Sequence, residues 1–322
     1  MRRGRGFSYV DADGNRLTDT ATLQRISELA IPPAWQDVWI CPLANGHIQA
    51  TGTDAAGRRQ YLYHDAWRTA RDRAKHQRML DFARRLPAAR KRIEQDLAGR
   101  GYTKRRVLAA SARLLDLGFF RIGSEEYAED NGSFGLATMR REDVAVSRDD
   151  VITFDYIAKG GIRRVQSVAE PAVCKVVAGL KRRQGGGDEL LAFRDRDGWH
   201  DVKSHDINGY LAEILRGEFT AKDFRTWHAT VLCAVGLAVS DIAPASESGR
   251  KRAVSWAIKE TAHYLGNTAS VCRSSYVDPR VIDRFVDGRT IHATLDRLGA
   301  DVNPGELATQ GAVERAVLRL LS

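Results

Sequence analysis

The residues of this chain that can do chemistry are arginine, lysine and tyrosine, and the reason begins with what is missing. No G-x-x-x-x-G-K-[ST] loop cradles a nucleotide phosphate, no G-x-S-x-G presents a nucleophilic serine, and no H-E-x-x-H sets two histidines on one helix face. The eight histidines are scattered, none at metal-ligand spacing from a carboxylate, so a metal-dependent nuclease finds no support. Against that background 50 Lys and Arg face 41 Asp and Glu, a net charge of +9. Cutting a phosphodiester without a metal sets three tasks: a nucleophile, a neutraliser for the non-bridging oxygens and an acid for the leaving oxygen. Arg supplies fixed charge and forked hydrogen bonds. Lys becomes a proton donor when neighbouring cations lower its pKa. Tyr is a weak nucleophile at its free pKa of about 10, and adjacent cations favour its phenolate.

The charge is unevenly placed. From Arg58 to Arg106 there are 16 basic and 5 acidic residues, a net of +11, so the rest of the chain sums to −2. Such a segment is either a polyanion-binding surface or a solvated helix face. Its cations are mostly arginines, in RRQYLYH, RRLPAARKR and TKRRV. Arg forks match phosphate oxygens better than Lys does, which tilts the reading toward nucleic acid.

The elements that must position these residues can be sketched from pattern. A chain of 322 residues, 43% hydrophobic and 28% charged, has the makings of one or two globular domains with a sizeable core. No run of about 18 apolar residues suggests a membrane span, and the basic start lacks a secretory apolar stretch. The four cysteines lie far apart, as expected of a reducing cytosol rather than a zinc site or disulfide framework. FSYV followed by Asp13-Gly14 predicts a hairpin, Thr20 to Leu29 a short helix, and DVWICP, Asn45-Gly46 and HIQATG a strand-turn-strand continued by RRQYLYH. From about Ala66 the pattern turns helical, with an interruption expected at Pro87. A second helix is expected from Thr103 to near Gly118. VITFDYIAKGGIRRVQSV alternates around Gly160-Gly161 and predicts a hairpin with Lys159 at its tip. Further helices are expected over Ile207 to Arg216, Thr220 to Val239 with a Thr220/Asp223 capping box, Ala253 to Leu265, Pro279 to Val286, Thr290 to Leu298 and Glu306 to Leu321. The fold class is α+β: a small β-rich N-terminal domain over residues 1–76 and a larger, mainly helical domain over 77–322.

Taken together and in order, FFRIGSEEYAEDNGSFGLATM, YIAKGG, DFRTWHAT and LGNTASVCRSSYVDP resemble the type IB DNA topoisomerases, above all the compact bacterial and poxvirus-type enzymes. IPPAW and RRQYLYHDAW resemble the family's small domain, so the likeness runs from about Gly6 to Asp283. It implies a helical catalytic domain shared with the tyrosine recombinases and a C-shaped clamp around duplex DNA. It implies that Arg121 and Arg225 bind the scissile phosphate and that Lys159 protonates the leaving 5′-oxygen. Asn267 would hydrogen-bond a non-bridging oxygen, and Tyr276 would be the nucleophile. Many members carry histidine where this chain has Asn267; asparagine still donates to phosphate but carries no charge and shuttles no proton. Contacts to double-stranded DNA are implied for Gln60, Tyr61 and Tyr127, and phosphate grip for the basic segment. No metal or other cofactor is expected, and the protein is expected to act as a monomer in the cytoplasm at the nucleoid. His228, three residues after Arg225, either supports the site or packs. Two other readings stay open: tyrosine recombinase strand exchange, and a non-catalytic DNA-binding protein of the same fold.

Overall fold

In the computed structural model of the chain, the residues described are 2–3, 6–126, 128, 132–240, 246–300 and 310–322. They fall into two units, Met1–Gln77 and Arg78–Ser322. The first holds a short antiparallel pair, β1 (Arg2–Arg3) and β2 (Gly6–Phe7), and a helix α1 (Thr20–Glu28). Val10 bridges Arg16 around the Asp13-Gly14 turn, and the Asp19 carboxylate caps α1 by accepting the Thr22 N–H at 2.8 Å. A three-stranded antiparallel sheet follows: β3 (Gln36–Ile40), β4 (Ile48–Thr53) and β5 (Arg59–Tyr63), in that order. The Asn45-Gly46 turn joins β3 to β4, and Gln49 Nε2 pins it by donating to the Gly46 carbonyl at 2.6 Å.

Helix α2 (Asp65–Leu97) runs unbroken through Pro87, where the sequence pattern predicts an interruption. A proline inside a helix costs about 3 kcal/mol. Phe82, Leu86, Ala89 and Ile93, all buried on either side of it, hold the helix together by packing. The second unit continues with α3 (Lys104–Gly118), capped by the Thr103 hydroxyl, and a three-stranded antiparallel sheet, β6 (Val144–Val146), β7 (Val151–Ala158) and β8 (Ile162–Ala169). After α4 (Pro171–Arg182) and the β9–β10 hairpin (Ala192–Asp195, Gly198–Asp201) come α5 (Ser204–Leu215), α6 (Ala221–Ser240) and α7 (Glu247–Leu265). The chain closes with α8 (Ala269–Ser275), α9 (Pro279–Val286), α10 (His292–Ala300) and α11 (Ala312–Leu321). The sequence pattern announces neither β6, α4, β9–β10 nor α8. The core centres on α6, whose Phe224 and Trp227 are fully buried, with α3 and α7 packed beside it.

Part of the basic segment is engaged within the protein, while 11 of its 16 basic residues stay exposed. Arg78 binds Asp223, Arg90 binds Asp116 and Glu314, and Arg105 binds Asp96 and Glu213. Arg85 and Arg106 are spent on backbone carbonyls. The carboxylate partners lie up to 224 residues away in the chain, which is why the local charge count overstates the free positive surface.

Candidate active site

The C-terminal end of α7 organises the site. Gly266 takes φ 62°, a left-handed conformation that only glycine adopts freely. Its N–H bonds the His263 carbonyl at 3.1 Å, and the Asn267 N–H bonds the Ala262 carbonyl at 3.0 Å. This Schellman closure leaves the carbonyls of Tyr264, Leu265 and Gly266 at the negative end of the helix. Each receives an arginine from a different element. Arg164 of β8 donates Nη2 to Tyr264 O at 2.8 Å, Arg225 of α6 donates Nη2 to Leu265 O at 2.9 Å, and Arg121 donates Nη2 to Gly266 O at 2.7 Å. Arg121 also donates to Asn267 Oδ1, which fixes the amide so that Nδ2 is the atom left over.

Arg121 sits just past α3, on a segment tied to residues 135–138. Leu136 N–H bonds its carbonyl at 2.8 Å and Ala137 N–H bonds the Ile122 carbonyl at 2.7 Å. The approach depends on Gly135, because a Cβ there would stand 2.4 Å from the Gly123 nitrogen. Arg225 is only 3% exposed and also donates to the Phe119 carbonyl. Tyr276 follows α8, its N–H bonding the Cys272 carbonyl at 3.0 Å. The Thr230 hydroxyl of α6 accepts the Asp278 N–H at 3.1 Å and lies 3.3 Å from the Tyr276 carbonyl. One helix therefore carries Arg225 and anchors the backbone of Tyr276, and the guanidinium carbon lies 5.2 Å from the phenol ring centroid. Lys159 occupies the exposed tip of the β7–β8 hairpin, as its Gly-Gly neighbours predict. It lines one cleft of about 730 Å³ together with Arg121, Arg164, Asn267 and Tyr276.

The electrostatics favour a bound anion. Among the described residues Arg121, Arg164 and Arg225 hydrogen-bond backbone carbonyls and side-chain amides but no carboxylate. Two buried donors, Arg225 Nε and Asn267 Nδ2, find no acceptor there, and orphaned buried donors are costly unless something fills them. Burial pushes the Arg225 guanidinium down to about 10, with the Tyr276 phenol opposing and Arg121 adding to the shift; it stays charged at neutral pH. Burial raises the Tyr276 phenol, but Arg225, then Arg121 and Lys222, outweigh it, and the net shift is downward.

Two comparisons with known proteins meet this geometry. Residues 64–288 match the family model of the eukaryotic DNA topoisomerase I catalytic core, and residues 6–54 match the N-terminal domain of bacterial DNA topoisomerase IB. DNA topoisomerase 1B of Acanthamoeba polyphaga mimivirus is 32% identical over 284 residues, covering 86% of this chain and 83% of the viral protein. The chain belongs to the type IB DNA topoisomerase family. The vaccinia virus topoisomerase 1B is 23% identical over 245 residues, 73% of this chain and 72% of the relative. The carrot DNA topoisomerase 1 is 29% identical over 130 residues, 40% of this chain but 15% of that protein. Family membership makes the chain an enzyme that relaxes supercoiled DNA, and of the readings left open by the sequence it selects the topoisomerase over the recombinase.

Within this topoisomerase the remaining expected residues fall as follows. Gln60 is half-buried, its Nε2 donating to Asp54 Oδ2 at 2.8 Å. Tyr61 is 50% exposed and stacks on Tyr63 with centroids 6.2 Å apart. Tyr127 lies outside the described residues. His228 is buried, 3.5 Å from the Asp116 carboxylate and edge-on to Phe119, so it joins the packing behind Arg225. Arg164 is the residue that sequence reasoning passed over. Its only sequence cue is parity: it shares a strand face with the buried Val168.

Proposed function

We propose that Tyr276 is the nucleophile of a reversible transesterification in duplex DNA. Its phenolate oxygen attacks a backbone phosphorus in line, and the bond from phosphorus to the 5′-oxygen breaks. Lys159, at an exposed hairpin tip, gives its proton to that departing oxygen. The product is a 3′-phosphotyrosyl link and a nicked strand with a free 5′-hydroxyl. Charge on the non-bridging oxygens grows in the transition state, and Arg121, Arg225 and the Asn267 amide take it up. Exchanging one phosphodiester for another conserves bond energy, so attack by the 5′-hydroxyl reseals the strand without ATP after torque has rotated the free end.

The observation that carries this reading is the pair of acceptorless buried donors, Arg225 Nε and Asn267 Nδ2, beside a tyrosine whose phenol is eased toward its anion. Together with the carbonyl-held guanidinium of Arg121 they form a set that a tetrahedral anion completes. Gln60, Tyr61 and Tyr127 are assigned to DNA contact, residues 1–76 to a DNA-binding domain and 77–322 to the catalytic domain, the two gripping the duplex as a clamp. The protein is assigned to the nucleoid in the cytoplasm as a monomer, since all five active-site groups come from one chain. Among the described residues no helix is long and apolar enough to cross a membrane.

The test is a duplex whose cleaved 5′ fragment dissociates, so that the covalent adduct accumulates. Peptide mapping should find the nucleotide on Tyr276, and Tyr276→Phe should give no adduct. A 5′-bridging sulfur leaves without a proton, so it should restore cleavage to Lys159→Ala but not to Arg225→Ala. An adduct on another residue, or no sulfur rescue, sinks these assignments.

A further inference from the structure

We propose that Arg164 is a third phosphate-binding arginine of this site, contacting a backbone phosphate of the bound duplex beside Arg121 and Arg225. The inference rests on the reading of the cleft as the cleavage site. Strand β8 pairs Arg164 with Tyr156 of β7, and Arg164 is among the residues that line the cleft. Its hydrogen bonds among the described residues use Nη2 alone, to the Tyr264 carbonyl and, at 3.4 Å, to Gln166 Oε1. Arg183 offers the contrast of a buried arginine built for structure. It donates to four backbone carbonyls, those of Leu180, Leu190, Gly187 and Glu189, and lies 4.0 Å from Asp201. Arg164 keeps the rest of its fork for something else.

The neighbourhood makes room for that guanidinium and, among the described residues, sets no carboxylate against it. A Cβ on residue 266 would stand 1.7 Å from Arg164 Nη1, so glycine there serves the guanidinium as well as the turn. Burial lowers the Arg164 pKa, Tyr156 opposes this, and the charge of Arg121 lowers it further. Three arginines converging on one helix end repel one another, and a bound phosphate relieves that repulsion. The same hydrogen bond to Tyr264 O also suits a residue that merely braces the turn, so the experiment must separate the two roles.

Arg164→Gln read against salt does so, because it removes the charge, and loss of bracing alone leaves the number of phosphate contacts unchanged. In a Tyr276→Phe background, noncovalent binding of a duplex is measured against KCl concentration. Loss of one phosphate contact should make the slope of log K against log salt less negative by about 0.9, for Arg164→Gln and Arg164→Ala alike. Arg164→Lys, which keeps the charge, should retain the slope. With Tyr276 present, adduct formation should fall about 10²-fold in Arg164→Gln. An unchanged slope in Arg164→Gln overturns the proposal, whatever happens to cleavage, and assigns Arg164 to bracing. Failure of the cleavage-site reading is seen separately, as the absence of any adduct with the unmodified enzyme.

Discussion

Arg90 and Arg113 meet carboxylates, those of Asp116, Glu314 and Glu170, whereas among the described residues Arg121, Arg164 and Arg225 meet backbone carbonyls, side-chain amides and, for Arg225, the Tyr276 phenol, but no carboxylate. Both groups lie in the same unit, Arg78–Ser322. In the first, Asp116 is fully buried and accepts from Arg90 at 2.8 and 2.9 Å and from Arg113 at 2.8 Å. Burial pushes that carboxyl up, but His228 and Arg90 hold it well below the ordinary range. Glu314 of α11 accepts from Arg90 and, at 2.9 Å, from the Trp227 indole, so the last helix is tied to the helix that carries Arg225. In the second group a carboxylate would cancel the charge that a phosphate needs. Partial charges at a helix end hold the guanidiniums in place and leave their formal charge available. The difference teaches that burial alone does not reveal whether an arginine serves the fold or a ligand: a carboxylate partner marks a structural one, while a carbonyl-held one keeps its formal charge and is structural in the case of Arg183.

The comparison can be broken most readily at Asp116. Asp116→Asn leaves two arginines without their shared counter-ion and should cost about 3–5 kcal/mol in urea unfolding. Because the folded-state pKa is depressed, this stabilisation is present above the unfolded value near 4 and fades as pH falls below it; the variant should show a flatter acid limb. A stability equal to the parent's at pH 7 would mean the network is not what holds α3, α6 and α11 together. Arg225→Ala should show the converse pattern: adduct formation slower by about 10²–10³, with a urea midpoint close to the parent's. If its main defect is unfolding, Arg225 belongs with the structural group.

A subtler comparison uses pH. The cations around Tyr276 lower its phenol, so the alkaline rise in cleavage rate should have its midpoint below the free value of about 10. Removing one cation with Arg121→Ala should move that midpoint upward, and a midpoint unmoved would detach Arg121 from the phenol. The smallest effect is expected from Glu314→Gln, which keeps hydrogen-bond acceptance but not charge. It should cost about 1–3 kcal/mol in unfolding and leave the pH midpoint where it was.

The β-rich then helical order and the Lys159 hairpin were legible because each rests on local sequence, a turn pair, a cap or an alternating strand, whereas the five catalytic candidates came from the resemblance of ordered short motifs to a family. Gly266-Asn267 read as a helix end from type alone, and the structure adds that Gly266 takes the left-handed position while Asn267 turns its amide to Arg121. Arg164 was not legible, since nothing in IRRVQ tells that a carbonyl 100 residues away will hold it. Nor does anything local tell that Arg78 and Arg90 of the basic segment pair with Asp223 and Glu314, far along the chain. Helix α2 survives Pro87 through tertiary packing that propensity does not weigh.

Cutting and resealing of DNA by protein groups alone, with Tyr276 as the proposed nucleophile, is decided by relaxation of positively and negatively supercoiled plasmid, in EDTA and without ATP, beside a Tyr276→Phe control. The unmodified enzyme should relax both signs and the control neither. Relaxation of one sign only, dependence on added divalent metal, or an active control would contradict that chemistry.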